Sequence, residues 1–317
     1  MNTPTLESTK PSARAPGMNR SSKLMLVGVV LLMAVLEVSV RFGIGRASRI
    51  QGRIEREDRA ALSIRAGIGG KKSVLIVGNS LLLEGVDFPL LQESLAPQIR
   101  ASRFAVEQTD YLDCYYWLRR LYRHGARPDV LIVSLSGAQM FADDVRGDYF
   151  GYQMMDTRDF LRVSRDAGLS ATQTFSLLLG NLSAFYGTRT ETRKVLLARL
   201  IPGVADLVSS LVPVGVAPPL ERELAVPRLS GRLAEMDRMV RAHGGRFILA
   251  QPASLNLLSL KYLSEAGRKT GVPVLEPLPP ESLSLRDFRD GFHLTPEAAS
   301  RYTSALVPMI REAAGNP

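Results

Sequence analysis

Ser80, Asp290 and His293 stand out by residue type and by position. Ser80 follows the run Ser73-Val-Leu-Ile-Val77-Gly78-Asn79, and the other two fall within Arg286-Asp-Phe-Arg-Asp-Gly-Phe-His-Leu-Thr-Pro-Glu297. A serine hydroxyl is a weak nucleophile until a base removes its proton. An imidazole can take that proton and return it, while a neighbouring carboxylate holds the ring in one tautomer and stabilises the imidazolium. Together the trio could carry acyl transfer through a serine ester. Each member also has a plainer reading. Serine often caps helices, a histidine can be purely structural, and Asp-x-x-His is a metal-pair spacing, although no third or fourth ligand cluster accompanies it. His124 and His243 each precede a glycine at the end of an expected helix, where capping accounts for them. His293 has no such post.

The elements around these residues read as α/β. Ser73–Val77, ending in Gly78, is a short apolar, β-branched run of the kind that forms a buried parallel strand. Arg103–Glu107, Val130–Leu135, Arg246–Ala250 and Val272–Leu275 read as four more. Helical patterns lie between them, such as Leu229, Leu233, Met236 and Val240 closed by Gly244-Gly245. Strands alternating with helices predict a parallel sheet covered on both faces. A strand that turns at once into a helix places Ser80 at the carboxyl edge, where open α/β sheets bind ligands, with helix N–H groups available to a developing oxyanion. Thr295, Pro296 and Glu297 open the last helix, so Asp290 and His293 fall on the loop just before it. Residues 141–225 interrupt the alternation as a helical insertion, broken at Pro202 and from Val212-Pro213 to Pro218-Pro219. Its run Phe175–Gly180 is too short to span a membrane, and packs in a core or touches a membrane interface.

At 317 residues, with 45% hydrophobic and 22% charged side chains, the chain is neither disordered nor a multi-span membrane protein. A single cysteine, Cys114, excludes a disulfide framework and a cysteine-rich zinc module. The net charge of +9 is local: 13 Lys and Arg face 5 Asp and Glu before Ser73, against 27 and 26 from there on. A basic segment flanking an apolar one suits anionic lipid head groups better than nucleic acid, and no nucleic-acid-reading motif accompanies it. Residues 1–23 read as a disordered basic tail, 24–42 as a transmembrane anchor, 43–72 as a juxtamembrane helix or linker, and 73–317 as the catalytic domain. Leu24–Val40 lies at the short end of the ~17–25 residues that span a bilayer, with Glu37 near one end. No small-x-small cleavage site follows promptly, which favours an uncleaved anchor over a signal peptide. Basic residues flank the span on both sides, four before it and six in the twenty residues after it, so charge does not settle orientation.

Gly78-Asn79-Ser80-Leu81 after the first strand, and Asp290-Gly291-Phe292-His293-Leu294 before the last helix, resemble two blocks of the SGNH, or GDSL-like, hydrolases. The resemblance covers about Ser73 to Pro317, with the helical insertion as an extra. It implies a three-layer, flavodoxin-like α/β fold with a parallel sheet of about five strands. Ser80 would be the nucleophile, His293 the base and Asp290 its orienter, with no metal or organic cofactor. The family's oxyanion-hole Gly and Asn are not matched, since those regions read Val106-Glu-Gln-Thr-Asp110 and Leu135-Ser-Gly-Ala-Gln139. The Ser80 N–H, the backbone of Gly137 or Thr109, and the Gln139 amide are the remaining donor candidates. By the same analogy, the expected activity is a serine esterase on acyl groups, favouring O-acetyl esters of a surface or secreted polysaccharide. The domain would lie outside the cytoplasmic (inner) membrane. Alternatives are a polysaccharide O-acyltransferase, paired with a membrane-bound acyl donor protein, and a catalytically silent subunit of a polysaccharide assembly or export system.

Overall fold

The structure, a computed structural model, describes residues 19–201 and 221–315. The expected tail up to residue 18 and the breaks at Pro202 and from Val212-Pro213 to Pro218-Pro219 lie outside the described residues. Helix α1 (Arg20–Ala47) is apolar around its circumference. Its Arg20–Gly43 portion contains an 18-residue stretch with a mean hydropathy of 2.3 and is long and apolar enough to cross a membrane. At Ser48 the chain turns, and the Ser48 hydroxyl accepts from the Gln51 N–H to start α2 (Arg49–Leu62).

Helix α2 is more than a linker. It buries Gln51, Ile54, Asp58 and Ala61 along one face, and Asp58 accepts from the indole N–H of Trp117 at 2.8 Å and from Arg120 at 2.9 Å. Glu57 binds the Arg103 guanidinium and the Ala105 N–H. The folded unit therefore begins before Ser73. A helix or linker is expected over 43–72, but its place in the core is hidden in the sequence because its buried contacts are made by Gln, Asp and Glu as well as by apolar residues.

The sheet contains β1 (Lys72–Gly78), β2 (Ile99–Ala105), β3 (Val130–Ser134), β4 (Arg246–Ala250) and β5 (Val274–Leu275), all parallel, in the order β2-β1-β3-β4-β5. This is the flavodoxin-like order, whose switch point falls between β1 and β3. The second strand starts four residues earlier than its sequence pattern predicts. Its polar positions hide the alternation: Arg103 faces Glu57 and lies 4.7 Å from the Phe88 ring centroid.

Side chains alternate between two cores, as period-2 geometry requires. Val74, Ile76, Ile132 and Ile248 pack with α3 (Ser80–Gly85), α4 (Phe88–Leu95) and α14 (Pro296–Ala313). Leu75, Val77, Leu131 and Leu249 pack with α2, α5 (Tyr111–Arg123), α12 (Arg222–Arg241) and α13 (Leu257–Thr270). Each fully buried Leu or Ile contributes roughly 1.5–3 kcal/mol of transfer free energy, so burial on both faces makes the sheet a stiff platform for its edge. His124 is the C-cap of α5, and the Nδ1–H of His243 donates to the Met239 carbonyl at 2.8 Å while the ring stacks on Tyr122. Both histidines thus have structural posts.

Between β3 and α12 lie α6 (Gly137–Phe141), α7 (Gly147–Gln153), α8 (Phe160–Asp166), α9 (Ala171–Leu182), α10 (Ala184–Gly187) and α11 (Arg189–Leu200). Helices α7 and α9 cross closely. A Cβ on Gly180 would lie 2.6 Å from the Asp148 carbonyl oxygen, and one on Gly151 2.6 Å from that of Leu177. The insertion is joined to α1 through Glu37, whose carboxylate accepts from the Ser183 hydroxyl and from the N–H groups of Ala184 and Phe185.

Candidate active site

Strand β1 leaves the sheet through Gly78, and this position has no room for a side chain: a Cβ there would lie 2.7 Å from the Ser134 carbonyl oxygen and 2.9 Å from Leu82 Cβ. The next residue, Asn79, is the N-cap of α3. Its Oδ1 accepts from the Leu81 N–H at 3.0 Å, and its Nδ2 donates to the Thr109 carbonyl at 2.9 Å, tying the end of β1 to the loop after β2. Because Asn79 does the capping, Ser80 is the first residue of the helix and its hydroxyl has no capping task.

The second half arrives from the loop before α14. Phe288 and Leu294 form an isolated antiparallel bridge, and the Arg289 N–H donates to the His293 carbonyl, closing the loop on itself. Gly291 turns it with φ +87°, a conformation that side chains disfavour. Asp290 organises the inside of the turn: Oδ1 accepts from the N–H groups of Phe292 at 3.1 Å and His293 at 2.8 Å, and Oδ2 lies 2.6 Å from His293 Nδ1. Burial by itself would raise the Asp290 pKa, but the hydrogen bonds from the His293 ring and these two N–H groups hold it at about 2. An ionised carboxylate only accepts, so Nδ1 carries a proton, which is the tautomer that leaves Nε2 free to act as a base.

Ser80 and His293 line one cleft of about 410 Å³ at the carboxyl edge of the sheet, beside the switch point. Ser136 and Gln139 reach it from the first turn of α6, Ser254 and Asn256 from the exit of β4, and Ser259 from the first turn of α13. Ser136 and Gln139 form a capping box: the Gln139 carbonyl oxygen accepts from the Ser136 N–H at 2.9 Å, and Ser136 Oγ accepts from the Gln139 N–H at 3.3 Å. With its oxygen engaged, Gln139 has its amide NH₂ to offer. Leu81, Ala253 and Phe292 supply the apolar part of the wall.

Of the four oxyanion candidates read from the sequence, Ser80 and Gln139 line the cleft. Thr109 does not. It is buried, its hydroxyl donates to the Val106 carbonyl at 2.7 Å, and its own carbonyl takes Asn79 Nδ2. The preceding residue, Gln108, has φ +58°. Gly137 is buried and is not part of the cleft lining, and a Cβ there would lie 2.4 Å from Ser259 Oγ. The β4 exit is the part of the wall that motif reading missed. Its one legible signal was position, because Gln251–Asn256 leaves the sheet at the same edge as Ser80. Among the described residues no cluster of three or more metal-binding side chains occurs.

No protein-family model matches the sequence, and no curated protein matches it. Among solved structures, TesA aligns at a TM-score of 0.39 and 13% identity over 76% of this chain and 99% of its own. Protein YXIM of Bacillus subtilis aligns at 0.38 and 9% over 77% and 57%. Axe2, an acetylxylan esterase from Geobacillus stearothermophilus, aligns at 0.35 and 11% over 80% and 97%.

Proposed function

We propose that this chain is a membrane-anchored, serine-dependent carboxylic-ester hydrolase of the SGNH type. The observation that carries the reading is the Asp290–His293 hydrogen bond, with His293 lining the same cleft as Ser80. In the proposed reaction Ser80 Oγ attacks the acyl carbonyl carbon while its proton passes to His293 Nε2. Asp290 holds the ring through Nδ1 and stabilises the imidazolium. The tetrahedral oxyanion takes hydrogen bonds from the Ser80 N–H and the Gln139 amide. As the C–O bond of the ester breaks, the leaving alkoxide takes the proton from Nε2 and departs as the alcohol. Water then adds to the acyl-enzyme, losing its proton to Nε2, and Ser80 leaves with that proton as the carboxylic acid is released.

Ser136, Ser254 and Asn256 in the cleft lining, together with Phe292, support an alcohol carrying hydroxyl groups. This favours O-acetyl esters of a glycan as the substrate class. A sugar hydroxyl entering in place of water would make the same site an O-acyltransferase. The extracytoplasmic placement on the inner membrane, and a membrane-bound acyl donor or polysaccharide-export partner, belong to the proposal through the SGNH resemblance.

The test combines labelling by a serine-reactive phosphonate, hydrolysis of model acetyl esters and acetyl transfer to oligosaccharides. The wild type should be labelled on Ser80, and Ser80→Ala should lose both labelling and turnover. Asp290→Asn should keep the fold and lower turnover by about 10⁴, because the amide favours the wrong imidazole tautomer. Equal activity in all three proteins, without labelling of Ser80, would replace the enzyme by a silent membrane-tethered subunit.

A further inference from the structure

We infer that the helical insertion is a second membrane-contacting element, with α9 and α11 lying in the lipid interface beside the end of α1. The inference rests on α1 spanning the bilayer, and is independent of the ester chemistry.

Three observations carry it. First, both helices present apolar stripes that nothing in the chain covers among the described residues. On α9, Phe175 and Leu182 sit seven positions apart on one face and are 61% and 60% exposed, whereas Leu177 and Gly180 on the other face are buried. On α11, Leu196, Leu197 and Leu200 are exposed, as is Ile201 directly after the helix. A soluble helix of this length would turn such a stripe inward.

Second, the stripes are held at a defined level. Leu182 directly precedes Ser183, and Glu37 of α1 caps α10 through Ser183, Ala184 and Phe185. Helix α1 also packs against α10 and α11. Glu37 lies six residues before Gly43, where the apolar span ends. At ~1.5 Å per residue that is about 9 Å inside the end, the depth at which interfacial helices bury their apolar face.

Third, the charge around the stripes has the sign an anionic bilayer attracts. Arg193, Lys194 and Arg199 are exposed on α11, and Arg41 and Arg46 follow Glu37 on α1. Of these, Arg41 pairs with Glu37 and Lys194 with Glu191. A packed protein interface depletes lysine, whereas leucine and phenylalanine rimmed by arginine and lysine is the pattern of an interfacial helix.

Cys114 is the chain's one cysteine and is buried, so introduced cysteines can be labelled selectively. Full-length Leu197→Cys and Phe175→Cys proteins, carrying an environment-sensitive fluorophore, would be reconstituted at no more than one copy per vesicle in mixed zwitterionic and anionic phospholipid. Quenching by nitroxides placed shallow in the acyl chains should be at least fivefold stronger at both sites than at Leu285→Cys, an exposed position before α14. Replacing Arg193 and Arg199 by Glu should weaken that quenching most in anionic vesicles. Two results overturn the inference. In one, the two sites are quenched by aqueous iodide as readily as Leu285→Cys and not by lipid nitroxides, while a probe at Val30→Cys in α1 is quenched by deep nitroxides. In the other, lipid quenching is absent and the sites become protected only when a second membrane protein is added, which makes the stripe a protein interface. A Val30→Cys probe untouched by deep nitroxides would remove the span itself and the inference with it. Phosphonate labelling of Ser80 in the same samples reports separately on the esterase reading.

Discussion

Arg289 forms an ion pair with Glu84 across 205 positions of sequence. Glu84 is one helical turn beyond Ser80 on α3, and Arg289 directly precedes Asp290. The pair therefore ties the element carrying the proposed nucleophile to the loop carrying the proposed base.

Both partners of that pair are partly exposed, so its stability contribution is bounded at about 1 kcal/mol, and any effect on catalysis at about fivefold. Glu84→Gln and Arg289→Gln should each lower kcat by up to that amount, with little change in melting temperature. Exchanging the two charges in one protein should restore much of the loss, and salt should diminish the wild type's advantage. Equal kcat in all variants would show that the loop is held by Asp290 and the Phe288–Leu294 bridge alone.

Asn79 uses both ends of its amide while fully buried, so its substitutions should separate by chemistry. Asn79→Ala loses the cap and orphans the Thr109 carbonyl, at roughly 1–3 kcal/mol. Asn79→Asp sets a carboxylate oxygen against that carbonyl, where only the protonated form can donate. Its folded pKa would therefore lie above the unfolded value, so its stability falls as pH rises. Thermal melting should show Asn79→Asp closer to the wild type than Asn79→Ala at pH 4 and clearly destabilised at pH 8. The same loss at both pH values would contradict the assigned hydrogen bonds.

Gly137→Ala should destabilise by roughly 1–3 kcal/mol, since the new methyl meets both Ser259 Oγ at 2.4 Å and the Ser259 carbonyl oxygen at 2.8 Å. The carbonyl is backbone, so Ser259→Ala in the same protein should not rescue it. Moving α6 also moves Ser136 and Gln139, so acetyl-ester turnover should fall with stability. Full rescue by Ser259→Ala would mean that the hydroxyl alone sets the crossing.

Burial pushes Asp113 up to about 7, against the pull of the Arg146 and Asp110 N–H groups that donate to it. Asp110 is raised to about 6 by burial and by the Asp144 carboxylate. A carboxyl group raised on folding binds a proton more tightly in the native state, so its contribution is present below the unfolded pKa near 4 and is lost as pH climbs toward 7. Denaturation at stepped pH should find Asp113→Asn gaining on the wild type across that window, by at most about 1.4 kcal/mol per pH unit, and level above it. A constant difference from pH 4 to pH 8 would place the proton elsewhere.

Local patterns carried much of this protein. The β-branched runs at Val74–Val77 and Val130–Val133 are buried on both faces, so they announce parallel strands without any long-range information. Gly78 before Asn79-Ser80, and Thr295-Pro296 after His293, mark a strand end and a helix start by chemistry confined to a few residues. The five-stranded α/β fold and the apolar span at the N-terminus were legible for the same reason. Tertiary contact decided the rest. Ile99–Ala105 became a strand through pairing with β1 and through Glu57 neutralising Arg103, and α2 joined the core through Asp58 reaching Trp117. Of the donor candidates chosen by their place in the chain, packing brought Ser80 and Gln139 to the cleft lining, while it buried Thr109 and Gly137. Ser254, Asn256 and Ser259 reached the cleft only because β4 ends at the same edge as β1. Sequence periodicity reports which face of an element is buried, whereas the neighbour that buries it depends on strand order and helix crossing, and these exist only once the chain has closed.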